Sequence, residues 1–403
     1  MSAAPRFGRV VTAMVTPFDP DGALDLDAAA SLARHLAGNG SDGLVVAGTT
    51  GEGPVLTDPE RIALFRAVVE AVTIPVIATS GTNDTAHSVL MTKEAEAAGA
   101  AGVLVVTPYY NRPSAAGLSA HFRAVADAST LPVVLYDIPV RSGRRIGPDL
   151  IIQLATEMPN IVAVKDATGD VASGARVVAE APAGFELYSG DDSLTLPFAA
   201  VGGVGVISVA SHWAGPVFAE LLAAYGRGDV AAAASINRSL LESYRFESSD
   251  EYPNPVPAKA ACRALGLAVG QCRLPNAPAP QSLDDQARSV IAGVAQHSQS
   301  RQSVACAPDF RSRGRRLGIV RPTPQAQVVR SGGGLDQGRR LVQGRRLVQV
   351  VRYDQSGGID QGIRRGQGGG QGRRRGQGRR SFVEQLTVRW RLVGAGRVPG
   401  RSR

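Results

Sequence analysis

The stretch Ile161-Val162-Ala163-Val164-Lys165-Asp166 decides how this chain folds and where its chemistry is to be sought. Four consecutive apolar residues predict a strand buried on both faces of a parallel sheet, because such strands do not alternate between apolar and polar positions. Lys165 stands at the C-terminal end of this strand. Lysine is rarely fully buried without a partner or a chemical task, so its presence there requires a reason.

Lysine is scarce in this chain of 403 residues. It occurs at Lys93, Lys165 and Lys259, whereas the other 41 of the 44 basic residues are arginine. Arginine carries charge as well as lysine does, but it does not lose a proton near neutral pH and attack a carbonyl. Lys165 therefore indicates amine chemistry, with the alternative that its head reaches water or pairs with Asp166. Lys93 and Lys259 fall on predicted helices and carry no such signal.

The strand that ends at Lys165 is one of eight short apolar runs, separated by segments with apolar residues at helical spacing. The runs are Val10–Thr16, Gly43–Gly48, Pro75–Thr79, Gly102–Thr107, Pro132–Asp137, Ile161–Asp166, Glu186–Ser189 and Gly205–Val209. Strands that alternate with helices indicate a parallel sheet, and eight such units predict a closed (β/α)₈ TIM barrel, an α/β fold. The alternative is an open doubly wound sheet, which the absence of a GxGxxG turn after the first strand disfavours.

Composition divides the chain into three segments. Residues 1–228 are predicted to form the catalytic barrel and residues 229–297 a C-terminal helical subdomain. Residues 298–403 form a tail rich in Arg, Gly and Gln, with 24 arginines and five acidic residues from position 301 onward. Such sequence cannot supply a packed core and predicts disorder. Two interpretations of the tail stay open: read-through or frameshifted coding sequence, and binding of RNA or another polyanion.

Several classes of protein are disfavoured by the composition. The first 300 residues carry 20 basic and 30 acidic side chains, as an ordinary cytosolic enzyme does. The three cysteines form no CxxC pair and the five histidines show no HxH or HxxxH spacing, so nothing supports a metal site. The N-terminus lacks the apolar core of a signal peptide, and no apolar stretch reaches the roughly 18–20 residues of a membrane span. We therefore expect a cytoplasmic protein without membrane contact.

Catalytic residues of a TIM barrel lie at the C-terminal ends of its strands, and here these ends are unusually polar. The polar segments are Gly48–Glu52, Thr107–Pro113, Tyr136–Gly143, Lys165–Asp170 and Ser189–Asp192. An imine-forming lysine needs an apolar wall that favours its neutral form, and hydroxyl groups that move protons without adding fixed charge. The carboxylate of a keto acid is matched by hydroxyl and backbone N–H donors, and that of a second acidic substrate by arginine.

Each polar segment also has a plainer interpretation. Gly48-Thr49-Thr50-Gly51 could be a turn with a helix cap, or a phosphate loop, although it lacks the Gly-Lys-Ser/Thr ending of a P-loop. Tyr110 and Tyr136 could be core or interface aromatics, and Arg141 could be a surface residue. The pair Asp191-Asp192 is best explained as a helix N-terminal cap. Their joint placement at consecutive strand ends is what favours a site.

These motifs, in this order, resemble the dihydrodipicolinate synthase family of the pyruvate-dependent class I aldolases, a superfamily that includes N-acetylneuraminate lyase. The resemblance covers about residues 8–295 and extends to Asn254-Pro255-Val256-Pro257-Ala258-Lys259. It implies condensation of pyruvate with L-aspartate 4-semialdehyde to 4-hydroxy-tetrahydrodipicolinate, in lysine and diaminopimelate biosynthesis, with no cofactor. The alternative is another Schiff-base aldolase, similar to N-acetylneuraminate lyase or a sugar-acid aldolase. Arg141 argues against it, because a sugar aldehyde needs groups that match hydroxyls.

The resemblance further implies a role for each of seven residues. Lys165 forms the pyruvate imine; Thr49, Tyr136 and Tyr110 relay protons; Thr50 binds the pyruvate carboxylate; Arg141 binds the semialdehyde carboxylate; and the backbone carbonyl of Ile207 faces the site. The family places the counterpart of Tyr110 in the neighbouring subunit's site. A homotetramer built from dimers is therefore expected.

Three positions depart from the family's pattern. Gly53 stands where serine is common, and the turn after the third strand is Thr79-Ser80-Gly81-Thr82-Asn83 instead of Gly-Xaa-Gly-Thr-Asn. His87 occupies the place at which lysine-inhibited members carry a glutamate. The sequence therefore predicts that lysine does not inhibit this protein.

Overall fold

The structure, a computed structural model, describes residues 4–305, and describes side chains from residue 4 to residue 296. The expectations about the Arg-rich tail, namely its disorder and its binding of polyanions, concern segments that lie outside the described residues.

Eight parallel strands form a closed barrel in chain order, with the last strand paired to the first. They are β1 (Val10–Ala13), β2 (Gly43–Val46), β3 (Val76–Thr79), β4 (Gly102–Val106), β5 (Val133–Asp137), β6 (Ile161–Asp166), β7 (Glu186–Ser189) and β8 (Gly205–Ser208). The predicted TIM barrel is confirmed. Prediction and structure differ only at strand ends, where the chain leaves the hydrogen-bonded ladder to form the loops of the barrel mouth.

Helices follow the strands around the outside of the barrel. They are α1 (Leu26–Gly38), α2 (Asp58–Ala71), α3 (Thr85–Ala97), α4 (Ala115–Ala126), α5 (Pro139–Ser142), α6 (Pro148–Glu157), α7 (Val171–Glu180), α8 (Thr195–Ala200) and α9 (Ser211–Gly226). The start of α2 shows how local sequence sets these boundaries. The Thr57 hydroxyl accepts from the Glu60 N–H, and the Glu60 carboxylate accepts from the Thr57 N–H, so both free amides are satisfied.

Alternation along each strand divides the apolar side chains into an inner core and an outer core. On β6, Val164 belongs to the outer core beneath the helices, whereas Ala163 belongs to the core inside the barrel. Lys165 lies two residues after Ala163 and so shares its inward orientation. Its register partner on β5 is Tyr136, which also belongs to the inner core. The strand periodicity alone therefore brings Lys165 and Tyr136 together at the mouth of the barrel.

Four more helices follow the barrel: α10 (Val230–Ser239), α11 (Leu241–Phe246), α12 (Val256–Ala264) and α13 (Gln281–Ala305). Helices α10, α12 and α13 pack on α9, and α12 also packs on α13, so the predicted helical segment lies against the barrel. The end of α13 lies beyond residue 297, the predicted end of the subdomain, and the domain limits stay predictions. None of the helices within residues 4–305 is long and apolar enough to cross a membrane.

Asp137, the last residue of β5, has a carboxyl group buried outside the barrel interior. Burial raises its pKa to about 6, although the N–H groups of Ile146 and Gly147 donate to Oδ2 at 3.1 and 3.4 Å and favour the ionised form. The ordinary value is 3.8, so the folded chain binds an additional proton between about pH 4 and pH 6. The stability that this proton provides is present at low pH and is lost as the pH rises through 6.

We therefore expect Asp137→Asn to stabilise the protein more at pH 8 than at pH 5. The variant cannot ionise, and its amide oxygen still accepts from the two backbone N–H groups. Since one pKa unit corresponds to about 1.4 kcal/mol, the gain at pH 8 has an upper limit of roughly 3 kcal/mol. Melting temperatures of both proteins at the two pH values measure the difference. An equal change at pH 5 and pH 8 would contradict the assignment.

Candidate active site

Lys165 lies at the C-terminal end of β6 and is only 5% exposed. Its Nζ lies 4.3 Å from the centre of the Tyr136 ring, its neighbour across the β5–β6 ladder. The rest of the inner wall beneath these two side chains is apolar, with Ala163, Val134 and Ile207 among its members. A primary amine is thus held at the end of an apolar barrel interior, facing an aromatic ring.

A cavity of about 190 Å³ opens in front of this amine at the barrel mouth. Five of the seven predicted site residues line it: Thr49, Thr50, Tyr136, Arg141 and Lys165. A second cavity of about 250 Å³ adjoins it and shares Thr49, Tyr136 and Arg141. Lys165 borders only the smaller of the two cavities. Because the two cavities share lining residues, we treat them as two parts of one elongated cleft. Contributions from β2, β5 and β6 therefore meet as the sequence predicted.

The two threonines belong to the β2 loop, which we define as residues 48–52. The Oγ1 of Thr50 is buried and accepts a hydrogen bond of 3.0 Å from the Nδ2 of Asn254. The loop is folded tightly on itself, with the N–H of Glu52 donating to the Thr49 carbonyl at 3.1 Å. A Cβ at Gly51 would lie 2.9 Å from the Ala47 nitrogen, so only glycine fits there without displacing the backbone. The loop geometry fixes both hydroxyls at the cleft.

Arg141 lies on the short helix α5, directly after the polar end of β5. Its side chain is exposed and lines both parts of the cleft, on the rim instead of the floor. A guanidinium at this place is accessible to a ligand that enters from solvent. Its planar fork matches a carboxylate with two parallel hydrogen bonds.

Two predicted residues do not line the cavity in front of Lys165. Tyr110 is 91% exposed, and its φ of +70° is a left-handed conformation that non-glycine residues rarely adopt. Ile207 is buried inside the barrel as the register partner of Val11, and the residue that lines the cavity here is Val209, directly after β8. For these two, the roles implied by the resemblance stay predictions.

The structure adds a group of acidic and amide oxygens that the sequence did not assign to the site. Asp191 caps the 3-10 turn after β7, as predicted, but the Asp192 Oδ2 accepts from the N–H groups of Val209 and Ala210 at 2.9 and 2.7 Å. Asp192, Glu247 and Asn254 all line the cavity. One oxygen of each is buried, namely Asp192 Oδ1, Glu247 Oε2 and Asn254 Oδ1, and the side chains of Asp192 and Glu247 lie within hydrogen-bonding reach of each other if one is protonated.

The pKa of Glu247 is strongly changed by its burial beside Asp192. Burial, and then the neighbouring Asp192, raise its pKa well above the ordinary value, because two carboxylates this close cannot both ionise easily. Asp192 and Glu247 therefore share a proton, and with Asn254 they give the cavity a polar lining. Nothing in the sequence marked Glu247, which lies in the irregular chain between α11 and α12. Asn254 could have been found from its motif.

Lys259 also differs from its prediction. No role was predicted for it, yet it is completely buried on α12, and its Nζ lies 2.7 Å from the Glu52 Oε1 at the end of the β2 loop. Scarcity of lysine was the signal that could have distinguished it. Within the described part of the chain, no group of three or more His, Cys, Asp or Glu side chains is arranged to hold a metal ion.

Comparison with known proteins shows extensive similarity over the described part of the chain. Residues 6–293 match the model of the Dihydrodipicolinate synthetase family. The 4-hydroxy-tetrahydrodipicolinate synthase of Moorella thermoacetica is 52% identical over 274 residues, which cover 67% of this chain and 92% of that relative. The enzyme of the same name from Bacillus subtilis is 47% identical over 274 residues, covering 68% of this chain and 94% of its own length.

Solved structures agree with the sequence comparison. Dihydrodipicolinate synthase from Cyanidioschyzon merolae, solved with lysine bound, superposes with a TM-score of 0.70 at 43% identity, over 72% of this chain and 99% of that one. The enzyme from Thermotoga maritima gives a TM-score of 0.69 at 36% identity, over 72% of this chain and 99% of that one. Fold and sequence thus point to the same group of proteins.

Proposed function

This chain belongs to the dihydrodipicolinate synthetase family, and from that premise we propose that Lys165 is the amine that binds pyruvate as an imine. The enzyme is a lyase of lysine and diaminopimelate biosynthesis, which condenses pyruvate with L-aspartate 4-semialdehyde to give 4-hydroxy-tetrahydrodipicolinate. The observation that carries the residue assignment is the inward orientation of a buried Lys165 at the end of β6, facing the cavity. The alternative function, that of an aldolase similar to N-acetylneuraminate lyase, is not favoured, because both relatives compared above are 4-hydroxy-tetrahydrodipicolinate synthases.

The proposed reaction begins when the neutral Nζ of Lys165 attacks the ketone carbon of pyruvate. The carbinolamine loses water to give a protonated imine, which withdraws electrons from the adjacent methyl group and so permits loss of a proton to form an enamine. The enamine carbon adds to the aldehyde carbon of the semialdehyde. The amine of that substrate then attacks the imine carbon, closes the ring and displaces Lys165 unchanged.

These steps require protons to move at the nitrogen and oxygen atoms of the imine carbon. Tyr136 and Thr49 line the cavity with Lys165, so their hydroxyls are suited to pass protons without adding a fixed charge beside the imine. The hydroxyl of Thr50, held by Asn254, and the amides of the β2 loop are suited to bind the pyruvate carboxylate. We also propose that the backbone carbonyl of Ile207, on β8, contacts the substrate.

The second substrate carries a carboxylate and an ammonium group as well as its aldehyde. Arg141 on the rim matches the carboxylate, and the wall formed by Asp192, Glu247 and Asn254 offers three buried oxygens to the ammonium group. A cavity that carries a positive group and an acidic group favours binding of an amino acid and adds little binding energy for a neutral sugar aldehyde. This arrangement supports aspartate semialdehyde as the acceptor.

Tyr110 is proposed to complete the proton relay in a neighbouring subunit. The side chain extends into solvent from its own barrel, in agreement with a residue that acts in a second chain. A homotetramer built from such dimers is the assembly that the family resemblance implies.

Borohydride reduction in the presence of pyruvate tests the imine. We expect a covalent mass gain on the peptide that contains Lys165, because the reagent reduces the imine to a stable amine. Lys165→Arg keeps the positive charge but cannot form an imine, so it should acquire no mass. Lys259 is equally buried and serves as an internal control that stays unmodified. Absence of label from Lys165 in the wild-type protein would refute the assignment.

Glu247→Gln tests the wall that faces the ammonium group. We expect KM for the semialdehyde to rise by about 10- to 100-fold, because the neutral amide of glutamine cannot take up the negative charge that a bound ammonium group favours on the Glu247 carboxyl. Trapping of the pyruvate imine should not change, since the amide lies on the side of the second substrate. Glu242→Gln, at an exposed glutamate on α11, is the matched control. The assignment fails if the semialdehyde KM of the Glu247 variant equals that of the control.

Mixing two inactive chains tests the placement of Tyr110. In a mixed dimer of Lys165→Ala and Tyr110→Phe chains, one site contains both defects and the other contains neither. We therefore expect activity to return after the two variants are unfolded and refolded together, whereas each variant refolded alone stays impaired. If the mixture is no more active than the average of its parents, Tyr110 acts within its own chain or not at all.

A further inference from the structure

The buried ion pair between Lys259 and Glu52 joins the C-terminal helices to the β2 loop. Both side chains are almost completely excluded from solvent, and the Nζ–Oε1 distance is 2.7 Å. The same ammonium donates to the carbonyl of Gln271 at 2.8 Å and lies 4.1 Å from the centre of the Phe18 ring. The ammonium of Lys259 is thus in contact with a carboxylate, a backbone carbonyl and an aromatic face.

The size of this space explains why lysine is kept in a chain that otherwise uses arginine. A compact ammonium contacts the carboxylate, the carbonyl and the ring here, whereas a planar guanidinium with five N–H groups would have to find more partners at a position with no exposed surface. The nearby arginines have separate tasks. Arg273 donates to the Val55 carbonyl at 3.1 Å and pairs with Glu60, and Arg263 pairs with Asp284.

Glu52 is the residue through which this pair reaches the active site. It ends the β2 loop in a left-handed conformation, with φ of +54°, two positions after Thr50. Its Oε1 faces Lys259 and its Oε2 accepts from the Arg273 N–H at 2.9 Å, so both oxygens are held by the C-terminal segment. A left-handed conformation costs free energy for a non-glycine residue and persists only where its surroundings enforce it.

Asn254 makes a second connection between the same two segments. It lies five positions before Lys259, at the start of α12, and its Nδ2 donates to the Thr50 Oγ1. One end of the β2 loop is therefore held by an ion pair and its middle by a hydrogen bond. Both contacts come from the stretch Asn254–Lys259, which lies outside the barrel sequence.

A buried ion pair is a poor way to increase stability, because removing two charges from water costs about as much as their attraction returns. Apolar residues of the same volume would stabilise the fold equally well. The position of this pair, next to Thr49 and Thr50, provides a different reason for its presence. We propose that Lys259 and Glu52 are positioning residues: with Asn254 they hold the β2 loop in the conformation that binds the carboxylate of pyruvate.

This inference rests on the proposed function, in which pyruvate binds at the β2 loop and reacts at Lys165. The test compares Lys259→Met with the double variant Lys259→Met/Glu52→Gln. The single variant leaves a buried carboxylate without its counter-charge and should lower the melting temperature strongly. The double variant removes both charges with little change of volume, and its melting temperature should return close to that of the wild-type protein.

The deciding measurement is the pyruvate concentration that gives half-maximal trapping of the imine with borohydride. In the double variant we expect it to stay raised by about tenfold or more, since the loop has lost the pair that orients it. The KM for the semialdehyde, measured at saturating pyruvate, should be unchanged because Arg141 and Glu247 are not involved. A structural role alone would restore pyruvate binding together with the melting temperature, and that result would overturn the proposal.

Two controls keep the result interpretable. Lys93→Met replaces the exposed lysine of α3 and should change neither stability nor pyruvate binding. Asn254→Ala removes the second connection while leaving the ion pair intact, and it should also raise the half-maximal pyruvate concentration. If the Lys259 variants do not fold, normal pyruvate binding by Asn254→Ala overturns the proposal. Failure of the wild-type protein to trap pyruvate on Lys165 would instead reject the proposed function.

Discussion

Closure of eight parallel strands into one ring is the constraint on which the remaining structure depends. In a closed barrel each strand has one face towards the interior, and alternate residues must share that face. On β6 this places Ala163 and Lys165 inside, and Val164 with Asp166 outside. The same rule on β5 places Tyr136 beside Lys165. Strand periodicity thus brings the proposed reactive amine beside the Tyr136 ring before any loop contributes.

Loops and C-terminal helices then surround this pair with charge. The rim carries Arg141, and the opposite wall carries the oxygens of Asp192, Glu247 and Asn254. These groups come from segments more than 100 residues apart in sequence, from 141 to 254. Their separation within the cavity gives one side that suits a carboxylate and another that suits an ammonium group. In the proposed mechanism, selection between possible aldehydes therefore depends on the outer parts of the chain, while the imine chemistry depends on the barrel.

The sequence predicted the features that depend on local pattern. All eight strands follow from the apolar runs, and the cavity residues Thr49, Thr50, Tyr136, Arg141 and Lys165 lie in the polar segments at strand ends. It missed Lys259 because a lysine on a helix has no local sign of what lies opposite it. It missed Glu247 because an irregular segment carries no periodicity that would direct a side chain.

What the sequence determined by itself was the barrel and, in Lys165, the candidate for the reactive amine. These rest on periodicity and on residue chemistry, which are properties of short stretches. Only the tertiary structure decided that Lys259 pairs with Glu52, that Asp192 and Glu247 face the cavity, and that Tyr110 extends away from its own site. The reason is physical: a partner across space, and the exclusion of water that gives a charge its effect, exist only once distant segments have packed together.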